Sequence, residues 1–130
     1  MEPLTVLETC LYVSDLDAAE AFYSDVLGLE LYSKVAGRHV FFRVGSGMLL
    51  LFEPRSSGKG GELPGHGCEG PGHLCFRVAE SEYAAWKERL TDAGVEIVAE
   101  QSWPRGGYSC YFHDPDGNVL ELAPSSIWGL

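Results

Sequence analysis

No stretch of this chain approaches the roughly 18 consecutive apolar residues that a membrane-spanning helix requires. Basic charge is also scarce: 9 Lys and Arg stand against 19 Asp and Glu, a formal net charge of −10. Such a chain is repelled by phosphate backbones, so neither nucleic acid nor a membrane is expected as a partner. The opening MEPLTVLE lacks a basic segment followed by an apolar core, and no secretory signal is expected there. Paired cysteine motifs are missing too. Cys10, Cys68, Cys75 and Cys110 form no CxxC, which removes zinc knuckles and thioredoxin-type redox motifs. Cys10, Cys75 and Cys110 fall in strand-like runs, where a free thiol behaves as a small buried hydrophobe. A reducing cytoplasm is the expected setting.

What is present is a sequence that repeats itself. ETCLYV from Glu8 and HLCFRV from His73 align at an offset of 65, Glu8 on His73 and Cys10 on Cys75. A helical stretch follows each. In the first, Leu16, Ala19, Phe22, Tyr23, Val26 and Leu27 recur at helical spacing and Gly28 suits the stop; in the second, Tyr83, Trp86, Leu90 and Ala93 form the stripe before Gly94. Three strand-like runs then follow each helix, near 29–35, 38–45 and 47–53, and near 95–100, 106–113 and 117–123. The expected architecture is α+β: a single domain over 1–130, built of two βαβββ modules whose curved sheets carry helices on the outer faces and enclose a concave cup. Module 1 covers about 4–54 and module 2 about 73–124. A flexible Gly-rich connector, 55–72, joins them, and 125–130 is a tail.

Period-two patterning assigns faces. Leu11 and Val13 cover the first helix, leaving Glu8, Cys10 and Tyr12 on the other side. By the same alternation His73, Cys75, Arg77, Ser109, Tyr111, His113, Val119 and Glu121 face away from the second helix. His39, Phe41 and Arg43 face away in module 1, and so, on this reading, do Leu49, Leu51 and Glu53. A helix-free face mixing Glu8, His73 and Glu121 with Tyr, Phe and Leu reads as a pocket rather than a solvated surface. Tyr12, His39, Phe41, Arg43, Leu51, Arg77 and Tyr111 are its expected lining. Arg43, Arg77 and His39 are suited to an anionic group.

The run CLYVSDLDAAEAFYSDVLGLEL, the paired modules and the ending YFHDPDGNVLEL resemble the vicinal oxygen chelate superfamily over about residues 4–124. That superfamily includes glyoxalase I, fosfomycin-modifying thiol transferases, methylmalonyl-CoA epimerase, extradiol ring-cleaving dioxygenases and metal-free bleomycin-resistance proteins. The resemblance implies mixed sheets and one divalent ion in the cup, held by the first and last strands of the modules. Carried over by position, the ligands are Glu8, His73 and Glu121. The fourth position falls on Leu51, or on Leu50 if the strand ends align differently, and leucine cannot ligate. Glu8 departs from the His or Gln of many members. One His with two Glu suits Mn, Mg, Ni or Zn better than a tuned ferrous site, although Fe remains on the list.

The implied function is a glyoxalase-like, metal-dependent lyase, isomerase or transferase. It would chelate a small oxygenated substrate through two oxygens and stabilise an enediolate or oxyanion, with Glu8 or Glu121 moving the proton. The alternatives are a metal-free small-molecule binding protein of the bleomycin-resistance kind and, third, an extradiol-type dioxygenase. The resemblance also implies a homodimer, with sites at or near the interface that draw Glu8 from one chain and His73 and Glu121 from the other.

Overall fold

Strand β1 (Glu8–Tyr12) runs towards Asp15, whose carboxylate accepts from Ala18 N at 2.9 Å and caps helix α1 (Leu16–Ala21). The helix widens into one π turn over Phe22–Val26 and ends before Gly28, which takes φ 72°. Strands β2 (Glu30–Val35), β3 (His39–Val44) and β4 (Gly47–Phe52) follow, in the sheet order β1-β4-β3-β2. β1 lies parallel to β4 and the other pairs are antiparallel, so the sheet is mixed and open. α1 packs on β3 and β4, with Tyr23 against Phe42 at 5.8 Å between ring centroids.

The second module repeats the plan. β5 (His73–Arg77) leads through a 3-10 turn, Glu80–Glu82, into α3 (Tyr83–Asp92), and Gly94 at φ 77° ends it. β6 (Ala99–Ser102), β7 (Tyr108–His113) and β8 (Val119–Ala123) complete the order β5-β8-β7-β6, again with one parallel pair, β5 with β8. The computed structural model describes residues 1–130 and divides them into two units, Met1–Gly70 and Pro71–Leu130. The expected βαβββ repeat is therefore the observed one. No helix is long and apolar enough to cross a membrane.

Three expectations need correcting. First, the run near 95–100 becomes strand only from Ala99: Val95 N donates to Leu90 O at 2.9 Å and belongs to the helix end. Second, the connector is not a bare tether. It opens with a short helix, α2 (Pro54–Ser57), capped by Glu53, whose carboxylate accepts from Ser56 N at 3.0 Å. Further along, His66 Nδ1 meets Tyr12 Oη at 2.7 Å and its ring lies edge-on to Phe52. Third, β4 is turned by one residue from the expected facing. Leu51 pairs with Leu11 and Val40, and Leu49 with Phe42, so both lie on the helix-covered side and are fully buried. Met48, Leu50 and Phe52 occupy the open face with Glu8, Cys10 and Tyr12. A continuous MLLLF run carries no alternation from which to choose, and a slip of one residue exchanges every side chain between faces.

The corrected facing has a measurable consequence. Leu51→Ala should cost about 2–5 kcal/mol in urea unfolding, as for a fully buried leucine, and Met48→Ala on the open face should cost less. The reverse ranking would mean that β4 is turned the other way.

Candidate functional site

The site begins with a turn. In DPDGN, the Asp114 carboxylate accepts from Asp116 N and Asn118 N, both at 2.9 Å, while Asn118 Nδ2 donates to Asp114 Oδ2 at 2.9 Å. Both side chains are buried. Asn118 Oδ1 then accepts from Gly72 N at 2.8 Å, and Val119 N donates to Gly72 O at 2.9 Å. The start of β5 is thus tied to the start of β8, in the register His73 to Val119 and Cys75 to Glu121.

That register brings two of the expected ligands together. His73 Nε2 lies 3.3 Å from Glu121 Oε2, with the His73 side chain 51% exposed and that of Glu121 only 7%. His73 Nδ1 lies 2.9 Å from Val119 O. A carbonyl can only accept, so Nδ1 carries the proton in that bond, and Nε2 is the nitrogen turned towards Glu121. The second carboxylate oxygen, Glu121 Oε1, is buried without a hydrogen-bond partner. A ring nitrogen facing a carboxylate, beside a buried carboxylate oxygen without a partner, is an arrangement that a proton on Nε2 or a shared cation satisfies. The pair would supply a divalent ion with one imidazole nitrogen and one carboxylate, two ligands of the set such an ion needs.

Around this pair the open face of the second sheet holds Cys75, Arg77 and Tyr111. The Tyr111 ring lies 6.3 Å from that of His73. Burial raises the Tyr111 hydroxyl; Ser109 pulls it the other way, and the Glu121 carboxylate adds to the rise. Cys75 is exposed as a residue, contrary to the expected buried hydrophobe, because no helix covers this face. Its thiol is nevertheless pushed up to about 12, by burial first and the Glu121 charge next, and so stays protonated. Cys10 is exposed for the same reason, and only Cys110 is buried.

Glu8 belongs to the first unit, exposed at the start of β1 opposite Met48. Tyr12, His39, Phe41 and Arg43 share its face. His39 stacks on Phe41 at 3.8 Å, and Phe52 lies edge-on to Phe41 at 5.3 Å. Arg43 is engaged by its neighbours on β2, over the Tyr32 ring at 4.7 Å and 3.9 Å from Glu30. Leu51 is not on this face. Leu50 pairs with Cys10 and Phe41 just as Glu121 pairs with Cys75 and Tyr111, so Leu50 is the counterpart of Glu121 in the first module. Neither unit by itself gathers three His, Cys, Asp or Glu at metal-binding spacing. Asp114 and Asn118 were not singled out from the sequence, although the Asx-turn pattern DPDGN marks them.

Two open mixed sheets of one strand order, with a His–Glu pair on the helix-free face of the second, define a paired-βαβββ protein. More particularly, the chain belongs to the glyoxalase/bleomycin resistance protein/dioxygenase superfamily, whose family model matches residues 5–122. A crystal structure of lactoylglutathione lyase from Agrobacterium tumefaciens is 42% identical, with 100% of each chain covered and a TM-score of 0.95. Metallothiol transferase FosB of Shouchella clausii is 31% identical over 118 residues, covering 88% of this chain and 76% of that protein. A mutant of the fosfomycin resistance protein FosX from Listeria monocytogenes, solved with Mn(II) and dihydroxypropylphosphonic acid, covers 95% of this chain and 93% of its own. Its TM-score is 0.70, and at 22% identity the likeness is one of fold.

His39 supplies a prediction that does not depend on a metal. Burial first, and the Arg38 charge second, lower its pKa from 6.5. The unfolded chain therefore binds more protons between the folded-state value and 6.5, and stability rises with pH through that window. Urea unfolding should show stability falling as the pH drops below about 6.5, and His39→Phe should flatten that part of the profile.

Proposed function

We propose that this chain is a divalent-metal-dependent enzyme acting on a small oxygenated substrate. His73 and Glu121 of the second module and Glu8 of a first module are the metal's protein ligands on this reading. Its main support is Glu121 Oε1, buried with no partner beside the outward lone pair of His73 Nε2. A buried carboxylate oxygen without a partner is costly, and a cation shared with His73 would offset that cost. The bond from His73 Nδ1 to a backbone carbonyl is the outer contact that metal-bound histidines commonly use. Relatives named as metallothiol transferases, and a fold neighbour solved with Mn(II), point the same way. One imidazole with two carboxylates suits Mn, Mg, Ni or Zn.

When bound, such an ion supplies Lewis-acid stabilisation of negative charge growing on adjacent substrate oxygens. The chain's own residues do the rest. Glu8 or Glu121 takes or returns the proton at a carboxylate oxygen, in lyase, isomerase or transferase chemistry. Tyr12, His39, Phe41 and Leu50, with Arg43, Arg77 and Tyr111, line the pocket and orient the substrate. The helix-free faces leave Cys10, Cys75 and half of His73 exposed, which suits completion of the site by a second copy. In such a homodimer Glu8 comes from one chain and the His73–Glu121 pair from the other, giving two sites by symmetry. A cytoplasmic setting, where exposed thiols stay reduced, goes with this reading.

The His73–Glu121 contact also favours a second reading, a metal-free small-molecule binder in which the two side chains form an ion pair. Metal content separates the two. Protein purified without chelator should carry near-stoichiometric divalent metal by mass spectrometry. His73→Ala and Glu121→Gln should each weaken Mn²⁺ binding by more than the ~10–100-fold that loss of an outer-shell partner costs. A metal-free wild type that binds no added Mn²⁺, Ni²⁺ or Zn²⁺ leaves the binder.

A further inference from the structure

The buried pair Asp114–Asn118 lies outside the proposed ligand set, yet a continuous chain of bonds leads from it to the imidazole. Asp114 Oδ1 accepts the Asn118 amide and Asp114 Oδ2 accepts Asn118 Nδ2, both at 2.9 Å. Asn118 Oδ1 accepts Gly72 N at 2.8 Å, on the residue before His73. The backbone of Val119, the residue after Asn118, accepts His73 Nδ1 through its carbonyl at 2.9 Å and donates its N–H to Gly72 O at 2.9 Å. Asn118 is 2% exposed and Asp114 4%, so neither can exchange these partners for water.

We propose that Asn118, held by Asp114, is a positioning residue that fixes the tautomer and aim of His73, so that Nε2 presents its lone pair to the site. The proposal rests on the reading of His73 as a ligand for its purpose, but not for its geometry. An Asn is suited to the task because it needs both polarities: Nδ2 must donate to a carboxylate, while Oδ1 must accept from a backbone amide. Asn118→Asp keeps the acceptor and loses the donor, and it sets a second carboxylate against Asp114 in a buried place. The repulsion displaces residue 118 within the turn, and with it both the acceptor for Gly72 N and the Val119 carbonyl that must meet Nδ1. The exchange Asp114→Asn with Asn118→Asp restores the 114–118 side-chain bond with its polarity reversed and keeps the tie to Gly72: the new Asn donates, and the new Asp accepts both from it and from Gly72 N.

Two readouts test this, one of them independent of any metal. In the wild-type protein stripped of metal, long-range ¹H–¹⁵N NMR should report His73 as the Nδ1–H tautomer. A wild type with the proton on Nε2 overturns the proposal whatever the variants do. Asn118→Asp should lose that tautomer preference and weaken Mn²⁺ binding by ~10–100-fold, the range for outer-shell partners. The double exchange should regain both to within about threefold, the coupling that a double-mutant cycle isolates. An Asn118→Asp protein that is less stable yet keeps the wild-type tautomer and Mn²⁺ affinity makes Asn118 merely structural and overturns the proposal. If Asn118→Asp does not fold, the double exchange carries the test: a folded double variant without the Nδ1–H tautomer overturns the proposal, and one with it supports the proposal. If the wild type binds no Mn²⁺, the metal reading fails by itself, and the tautomer measurements still decide the role of Asn118.

Discussion

Every feature of the second open face depends on the parallel pairing of β5 with β8. His73 stands opposite Val119 and Cys75 opposite Glu121, so the imidazole and the carboxylate are diagonal neighbours rather than direct partners. Diagonal side chains on adjacent strands sit roughly 7–8 Å apart at the backbone, a gap that only long side chains close. His and Glu reach across it and meet at 3.3 Å. A slip of one residue along β8 would send Glu121 to the helix side and place Leu120 or Leu122 on the open face. Parallel pairs lack a hairpin to set their register, and here Asn118 acts in its place by holding the Gly72 amide.

The two modules share an architecture and divide the chemistry unequally. Glu8 stands where His73 does, and Leu50 stands where Glu121 does. The first module therefore offers one oxygen donor above an apolar and aromatic surface of Tyr12, Phe41, Leu50 and Phe52, with His66 folded over its rim. The second offers a nitrogen and a buried carboxylate. The turns differ accordingly. Val44 and Gly47 pair across the short Gly45–Ser46 link, whereas His113 and Val119 are separated by the whole DPDGN segment. The longer turn provides the buried Asp114–Asn118 bonds, which the first module has no residues to form.

The repeat was legible because it is written in two periods at once: alternation in ETCLYV and HLCFRV, and helical spacing after each. The shared face of His73 and Glu121 was legible because HLCFRV alternates cleanly and Glu121 is the one charged residue in NVLELA. MLLLF was not. It is apolar throughout, so neither period nor charge marks a face, and the turns before β4 and β8 differ in length, so one strand does not give the facing of the other. The connector was misjudged on composition. Its glycines suggested a tether, but Glu53 caps a helical turn and His66 finds Tyr12 and Phe52, contacts that depend on tertiary placement. The bond from Gly72 to Asn118 could not be read from chain order, because it spans 46 residues and its donor is a backbone group.

A buried carboxylate oxygen without a partner is a defect if the fold is considered alone. An apolar side chain in place of Glu121 would leave no such oxygen on the sheet. In the ligand-free chain Oε1 has no partner, and a species binding both Glu121 and His73 would supply one. A proton relieves part of the defect, and a divalent ion relieves more, because it also uses the Nε2 lone pair. Binding and folding are then coupled: whatever prefers the assembled pair stabilises the native state in proportion to its concentration over its dissociation constant. On the reading of His73 as a ligand, the turn behind it would hold one donor in place beforehand, so that less ordering would remain to be done on binding.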